Sequence, residues 1–266
     1  MQQTPYFSVI VPTHNRPVLL RRALQSIKSQ DLPAPMEVIL VSDVIDQETD
    51  RACADILEET DIYIRRNGKP GPSESRNLAM TIASGSYVMF LDDDDAWHPG
   101  FLKQLYEVLA VRRDRVVYCN CSVAKERRLA EEPEVLSEVA LNLAGGLTEE
   151  VYVKNQIHMS CFAFPRNLLA GIRFDVSMRA YEDWEFLLSV IDRQFPEHVP
   201  ILASRVFEVD DDTSDRRGSS KEATDLNALF DYLYTYRRHP APNQDLRQKR
   251  ASLMANCGFQ VPSDML

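Results

Sequence analysis

The sequence predicts an α/β domain with a mostly parallel central sheet flanked by helices and with helices at its C-terminal end. Three observations predict it. Short apolar, β-branched runs at 7–11, 38–41, 62–64 and 87–91 alternate with stretches of helical spacing. These runs are continuously apolar, as in strands covered on both faces. Four acids, Asp92 to Asp95, follow directly on the fourth run, at the carboxyl edge where open α/β sheets place their ligands.

The elements follow in order. The first strand, 7–11, ends at Pro12. Asn15 is placed to cap a helix with Arg16 and Pro17 in its first turn, and Leu19, Leu20, Ala23, Leu24 and Ile27 follow at helical spacing. After the strand at 38–41, Ala52, Ile56 and Leu57 mark a second helix, and 62–64 is a third strand. The stretch 67–72 is a loop of turn-forming residues, 73–83 a helix ended by Gly85, and 87–91 the fourth strand. Pro99 opens a helix reaching Leu109, and 116–123 is a further strand. Residues 125–146 are charged and carry no period. Strands are expected at 157–164, with parallel and antiparallel pairing both open, and at 198–209, with a strong helix at 180–195 between them. The charged segment 210–220 reads as a loop, and 226–236 and 244–255 as terminal helices. Two units result: 1–215, divided at 123, and a helical extension from 216 to 266.

Bulk properties narrow the function. The chain has 266 residues, 44% hydrophobic and 26% charged, enough for a sizeable core. Thirty basic against forty acidic residues give −10, which argues against nucleic acid as the main partner. The five cysteines form no zinc pattern, and Cys119 and Cys121 read as buried free thiols on one strand face. No signal peptide and no membrane-length apolar run are visible, so a reduced cytoplasmic protein is expected, with peripheral membrane contact left open.

Adjacent carboxylates repel, so four in a row suggest a cation. Their hard oxygens suit Mg²⁺ or Mn²⁺, ions that bring phosphate oxygens with them. The alternative is a solvated acidic turn capping the next helix.

Five segments in register carry a resemblance: 8–16 (SVIVPTHNR), 41–43 (VSD), Gly71 through Arg76 and Asn77, 85–95 (GSYVMFLDDDD) and 181–184 (YEDW). Over residues 6–215 the chain resembles the inverting glycosyltransferases of family 2, of the bacterial polysaccharide type. That resemblance implies the GT-A fold, the Rossmann-like fold of nucleotide-diphospho-sugar transferases. It implies nucleotide-sugar contacts from Pro12, Thr13, Asn15, Arg16, Asp43, Arg76, Asp92 and Asp93. Asp43 would meet the base or ribose, although Val44 and Ile45 replace the family's usual Gly-Ser there. It places Mn²⁺ or Mg²⁺ on Asp92 and Asp94, and it leaves Asp95 to hold the loop or orient a sugar hydroxyl. The third ligand in relatives is often a downstream histidine. Here Asp210, Asp211 or Asp212 stands near that place.

The resemblance also makes Asp183 the general base that deprotonates the acceptor hydroxyl, with Glu182 orienting it or touching a sugar. Sited at the positive end of a helix, that aspartate is expected below its ordinary pKa. Trp97 and Trp184 would line the acceptor site, each with core packing as the alternative. The implied activity is metal-dependent, inverting transfer of a sugar from a nucleoside-diphosphate donor, with UDP favoured. The acceptor would be a glycan or lipid-linked hydroxyl in surface polysaccharide synthesis. The segment 210–220, with Arg216, Arg217 and Lys221, is a candidate lid over the diphosphate. Competing readings are a nucleotidyltransferase, disfavoured because no glycines follow the first strand, and a non-catalytic nucleotide- or glycan-binding protein on the same scaffold.

Overall fold

A computed structural model describes residues 4–128, 132–210 and 226–266. Its centre is four parallel strands in the order β3 (Ile62–Arg65), β2 (Met36–Ser42), β1 (Phe7–Thr13) and β4 (Tyr87–Phe90). Every residue of β1 and β4 is buried, as their unbroken apolar runs require when helices cover both faces. Beyond β4 the sheet continues through β8 (Phe162–Pro165), antiparallel to it, and β6 (Val117–Arg127). It then passes to β9 (Glu197–Val209) and the two-residue β5 (Ala96–Trp97). The charged stretch without a period contains β7 (Glu134–Leu141), which forms a hairpin with β6 and is exposed throughout. With solvent on both its faces, β7 had no pattern to display.

Successive side chains point to opposite faces of a strand, so β1 feeds two cores. Val9 and Val11 pack with α1 (Pro17–Lys28), α2 (Gln47–Ile56) and α4 (Phe101–Val111). Ile10 packs on the other face with α3 (Pro72–Ile82), α5 (Glu182–Ile191), α6 (Leu226–Arg238) and α7 (Gln244–Asn256). The C-terminal helices therefore share a core with α5. The boundary expected at 215 and 216 lies outside the described residues.

Local outcomes differ from expectation near β1 and α5. The first strand runs on through Pro12 to Thr13. Proline is tolerated because the pairing of β1 with β4 stops at Ile10. Asn15 does not cap α1. It takes the left-handed conformation, φ 48°, and Arg16 precedes the helix without a side-chain cap. Tyr181 is also left-handed, φ 61°, so the chain turns sharply before α5 and the helix starts at Glu182, two residues later than expected. The cysteines are free thiols, with Cys119 and Cys121 buried. Among the described residues no helix is long and apolar enough to cross a membrane.

Candidate active site

The carboxyl ends of β1, β2 and β4 converge, and each brings acids or their partners. After β4 the acid run alternates as a strand would. Asp93 and Asp95 turn inward, while the side chains of Asp92 and Asp94 remain 43% and 28% exposed. Asp93 accepts from the Thr13 hydroxyl at 2.7 Å, the His14 amide at 3.2 Å and Arg16 at 3.3 Å, and so pins the acid loop to the end of β1. Asp95 accepts from the Phe207 amide at 3.2 Å and the Ser160 hydroxyl at 3.5 Å, which ties the loop to β9. Burial, and then the charge of Asp94, push the Asp93 pKa up to about 6. Burial also raises Asp95 well above the ordinary carboxylate range.

These contacts show where the expected nucleotide-contact residues stand. The Thr13 hydroxyl and the Asp93 carboxylate are spent on each other inside the protein, and Pro12 is buried. The exposed face of this segment is His14, Asn15 and Arg16. Asp43, at the tip of β2, accepts from the Gly71 amide at 2.6 Å and meets His14 Nδ1 at 2.5 Å. It thereby holds the glycine loop, where Gly71 has φ 151°, against β1. His14 lies within the 8–16 motif, and its place beside Asp43 shows how it holds this edge.

The two outward acids both meet arginines. Asp94 Oδ2 accepts from Arg16 at 3.1 Å and Arg128 at 3.2 Å. Arg128 also reaches the buried Glu126, which in turn binds Arg22 at 2.6 Å. Burial would depress the Arg16 pKa, but Asp93 and Asp94 together raise it. Arg76, on α3, is 3% exposed. Its Nη2 donates to Asp92 at 2.6 Å and its Nη1 to Glu182 at 3.0 Å. Asp92 and Glu182 hold its pKa above the ordinary value against the effect of burial.

Next to Glu182, Asp183 accepts from its neighbour's amide, Trp184 N, at 2.7 Å and from Asn155 Nδ2 at 3.2 Å. Its pKa is pushed up to about 6, first by burial and then by the Glu182 carboxylate, against the pull of Arg76. The helix-end expectation of a lowered value is thus overturned, because desolvation and a like charge outweigh the helix terminus.

Two further expectations are corrected. Trp97, 3% exposed, packs on Phe101 and donates to the Ser160 carbonyl at 3.2 Å. Trp184, 0% exposed, packs among Tyr232 and Tyr236 and donates to the Val151 carbonyl at 2.6 Å. Neither ring has a face to offer a sugar. Among the described residues no three acidic, histidine or cysteine side chains gather as a group that could hold an ion. Asp210 stands at the end of the β6–β9 ladder, where its amide donates to the Glu126 carbonyl at 2.9 Å. Asp211, Asp212 and the rest of the expected lid, with Arg216, Arg217 and Lys221, lie outside the described residues.

The sequence pattern of Glycosyl transferase family 2 matches residues 8–164, from β1 through β8. The chain belongs to glycosyltransferase family 2. It is therefore a glycosyltransferase, and the nucleotidyltransferase reading falls. Family relatives extend the match past 164. The GalNAc(5)-diNAcBac-PP-undecaprenol beta-1,3-glucosyltransferase of Campylobacter jejuni is 30% identical over 223 residues, 82% of this chain and 70% of that protein. Succinoglycan biosynthesis protein ExoW of Rhizobium meliloti is 29% identical over 206 residues, 69% of this chain and 63% of that one. Among solved structures, Staphylococcus aureus TarS 1–349 in complex with UDP-GlcNAc superposes with a TM-score of 0.63 at 17% identity. It covers 93% of this chain and 71% of TarS 1–349. At that identity the likeness shows the fold, the GT-A arrangement expected for family 2.

Proposed function

We propose that this family 2 enzyme transfers a sugar with inversion from a UDP-sugar to a hydroxyl of a glycan or lipid-linked acceptor in surface polysaccharide synthesis, and that it depends on Mn²⁺ or Mg²⁺. The observation that carries the reading is the Arg76 bridge. One buried guanidinium joins the acid loop after β4 to the acid pair that opens α5. Donor and acceptor chemistry thus share one rigid frame. TarS has been captured with UDP-GlcNAc and with UDP, which supports a uridine donor. Relatives named for undecaprenol-linked glucosyl transfer, succinoglycan biosynthesis and, in Escherichia coli, colanic acid biosynthesis support the setting.

The donor set fits a hard divalent ion. Mg²⁺ sits typically on one or two carboxylates, with phosphate and water oxygens completing its shell. Two partly exposed carboxylates, Asp92 and Asp94, stand at the sheet edge, each paired with arginine. Bound there, the ion would supply charge neutralisation for the diphosphate that leaves.

The remaining work falls to the chain. Asp43, with His14, Asn15 and Arg16 beside it, forms the edge against which the nucleoside lies. Asp183 takes the proton of the acceptor hydroxyl. A pKa near 6 leaves it ionised at neutral pH yet more basic than an ordinary aspartate. Glu182, held by Arg76, keeps the pair in place. Asp93 and Asp95 fix the loop and touch no substrate.

A thermal-shift series with UDP, GDP, CDP and dTDP, each with Mn²⁺, Mg²⁺ or EDTA, tests donor and metal together. Stabilisation by UDP that EDTA abolishes is the expected result. Stabilisation by another nucleotide alone would overturn the uridine donor, and a shift indifferent to EDTA would overturn the metal. Asp183→Asn should keep the shift and lose UDP release.

A further inference from the structure

Three consecutive carbonyl oxygens, those of Val151, Tyr152 and Val153, each accept a hydrogen bond from a different helix. Trp184 Nε1 on α5 reaches Val151 at 2.6 Å, Arg250 Nε on α7 reaches Tyr152 at 2.8 Å, and the Tyr236 hydroxyl on α6 reaches Val153 at 2.7 Å. All three donor side chains are buried. Arg250 is the costly member. Its guanidinium also donates to the carbonyls of Tyr236 at 3.2 Å and His239 at 2.7 Å, and burial lowers its pKa to about 10. Its guanidinium also lies 4.1 Å from the Tyr236 ring centroid, and a charge held by carbonyls and a ring, with no carboxylate partner, is expensive to bury.

Two residues beyond this clamp stands Asn155. Its Oδ1 accepts from the Ile157 amide at 3.4 Å, which orients the amide group so that Nδ2 faces Asp183 at 3.2 Å. The other Asp183 oxygen is held by the Trp184 amide at 2.7 Å. α5 therefore fixes one carboxylate oxygen and the 151–155 loop fixes the other.

We propose that Asn155 is a positioning residue for the Asp183 carboxylate, and that α6 and α7 set its place by clamping the loop that carries it. The inference rests on the reading of Asp183 as the base. It makes the C-terminal helices part of the transfer apparatus, although the family match ends before α5. An oriented Asn155 stabilises the ionised carboxylate and aims its free lone pairs at the acceptor.

The test uses the full chain and two readouts. The first is the NMR titration of the Asp183 carboxyl carbon, assigned by its disappearance in Asp183→Asn; it needs neither donor nor acceptor. The second is UDP release from UDP-glucose, UDP-galactose and UDP-GlcNAc with Mn²⁺, water serving as acceptor. In Asn155→Ala the Asp183 midpoint should move up by on the order of one pH unit. The kcat should fall about tenfold with donor KM unchanged. Tyr236→Phe keeps the ring packing and removes only the hydroxyl, so it should move both readouts the same way by less. It carries the test if Asn155→Ala does not fold. An unmoved midpoint with wild-type turnover in these variants overturns the inference alone. An Asp183→Asn enzyme with wild-type turnover overturns the base and this inference with it.

Discussion

Arg76 donates to Asp92 across 2.6 Å from a side chain that is almost wholly buried, and its second amino group binds Glu182 at 3.0 Å. One cation thus satisfies two acids whose sequence positions lie 90 residues apart. Replacing Arg76 by Met leaves Glu182 and Asp183 facing each other without it. Urea denaturation should show a loss of on the order of 3 kcal/mol. Arg76→Lys keeps the charge but not the fork, so it should lose at least one of the two bridges, and nucleotide affinity and turnover should fall together.

Asp183 titrates near 6 in the folded protein against an ordinary value of 3.8. Between those values the folded chain keeps a proton that the unfolded chain has lost. This group therefore makes stability fall as pH rises from about 4 to about 6, and above that the cost is constant. Asp183→Asn should raise the melting temperature at pH 7.5 and leave it nearly unchanged at the acid end of the window. For activity, kcat/KM should drop roughly tenfold per pH unit below about pH 6 as the base is protonated. An acid limb centred near pH 4 would contradict the assignment.

With Trp97 and Trp184 both buried, intrinsic emission should be blue-shifted and poorly quenched by acrylamide. Adding a soluble glycan acceptor should change neither property by direct contact. A strong contact quench would mean that an indole faces the acceptor.

Gly85 approaches β1 closely: a Cβ there would stand 2.7 Å from Ser8 N and Oγ and 2.8 Å from the Phe7 carbonyl carbon. The Gly85 amide donates to Ser8 Oγ at 2.8 Å, and Ser8 donates to the buried Glu37 at 2.5 Å. Gly85→Ala must push the bend before β4 away from β1 and strain this network. A loss of about 2 kcal/mol or more is expected, read as a lower urea midpoint at unchanged slope.

Asp94 is held in this structure by Arg16 and Arg128, at 3.1 and 3.2 Å. Asp94→Asn removes the charge that a divalent ion would meet. UDP with Mn²⁺ should then give little or none of the wild-type stabilisation, while EDTA alone should leave the variant's melting temperature unchanged.

Much of the scaffold and part of the site are legible in the sequence. Val9, Ile10, Val38 and Met89 belong to unbroken apolar runs because both faces of their strands are covered, and that requirement writes itself locally. Asp92 to Asp95 follow the end of β4 and Glu182-Asp183 open α5, places where charged residues are conspicuous. What the line of letters does not show is direction. Asp93 and Asp95 are chemically identical to Asp92 and Asp94, and only the pleat and the neighbours Thr13, Ser160 and Phe207 turn one pair inward. Trp184 beside the acid pair looks the same whether it stacks on a sugar or fills a core. Tyr232 and Tyr236, some 50 residues later, make it core. The Asp183 pKa was misjudged from the helix end because desolvation and the Glu182 charge depend on what surrounds the turn.

By itself, then, the sequence determined the alternation of strands and helices through β4, the family motifs and the acids available at the sheet edge, since these follow from short-range pattern. Tertiary structure alone decided which carboxylates face out, that Arg76 joins the two acid clusters, and that α6 and α7 reach back to the loop carrying Asn155. Those are contacts between residues far apart in the chain. Their energies depend on distance, burial and dielectric, and none of these is a property of a local run of residues.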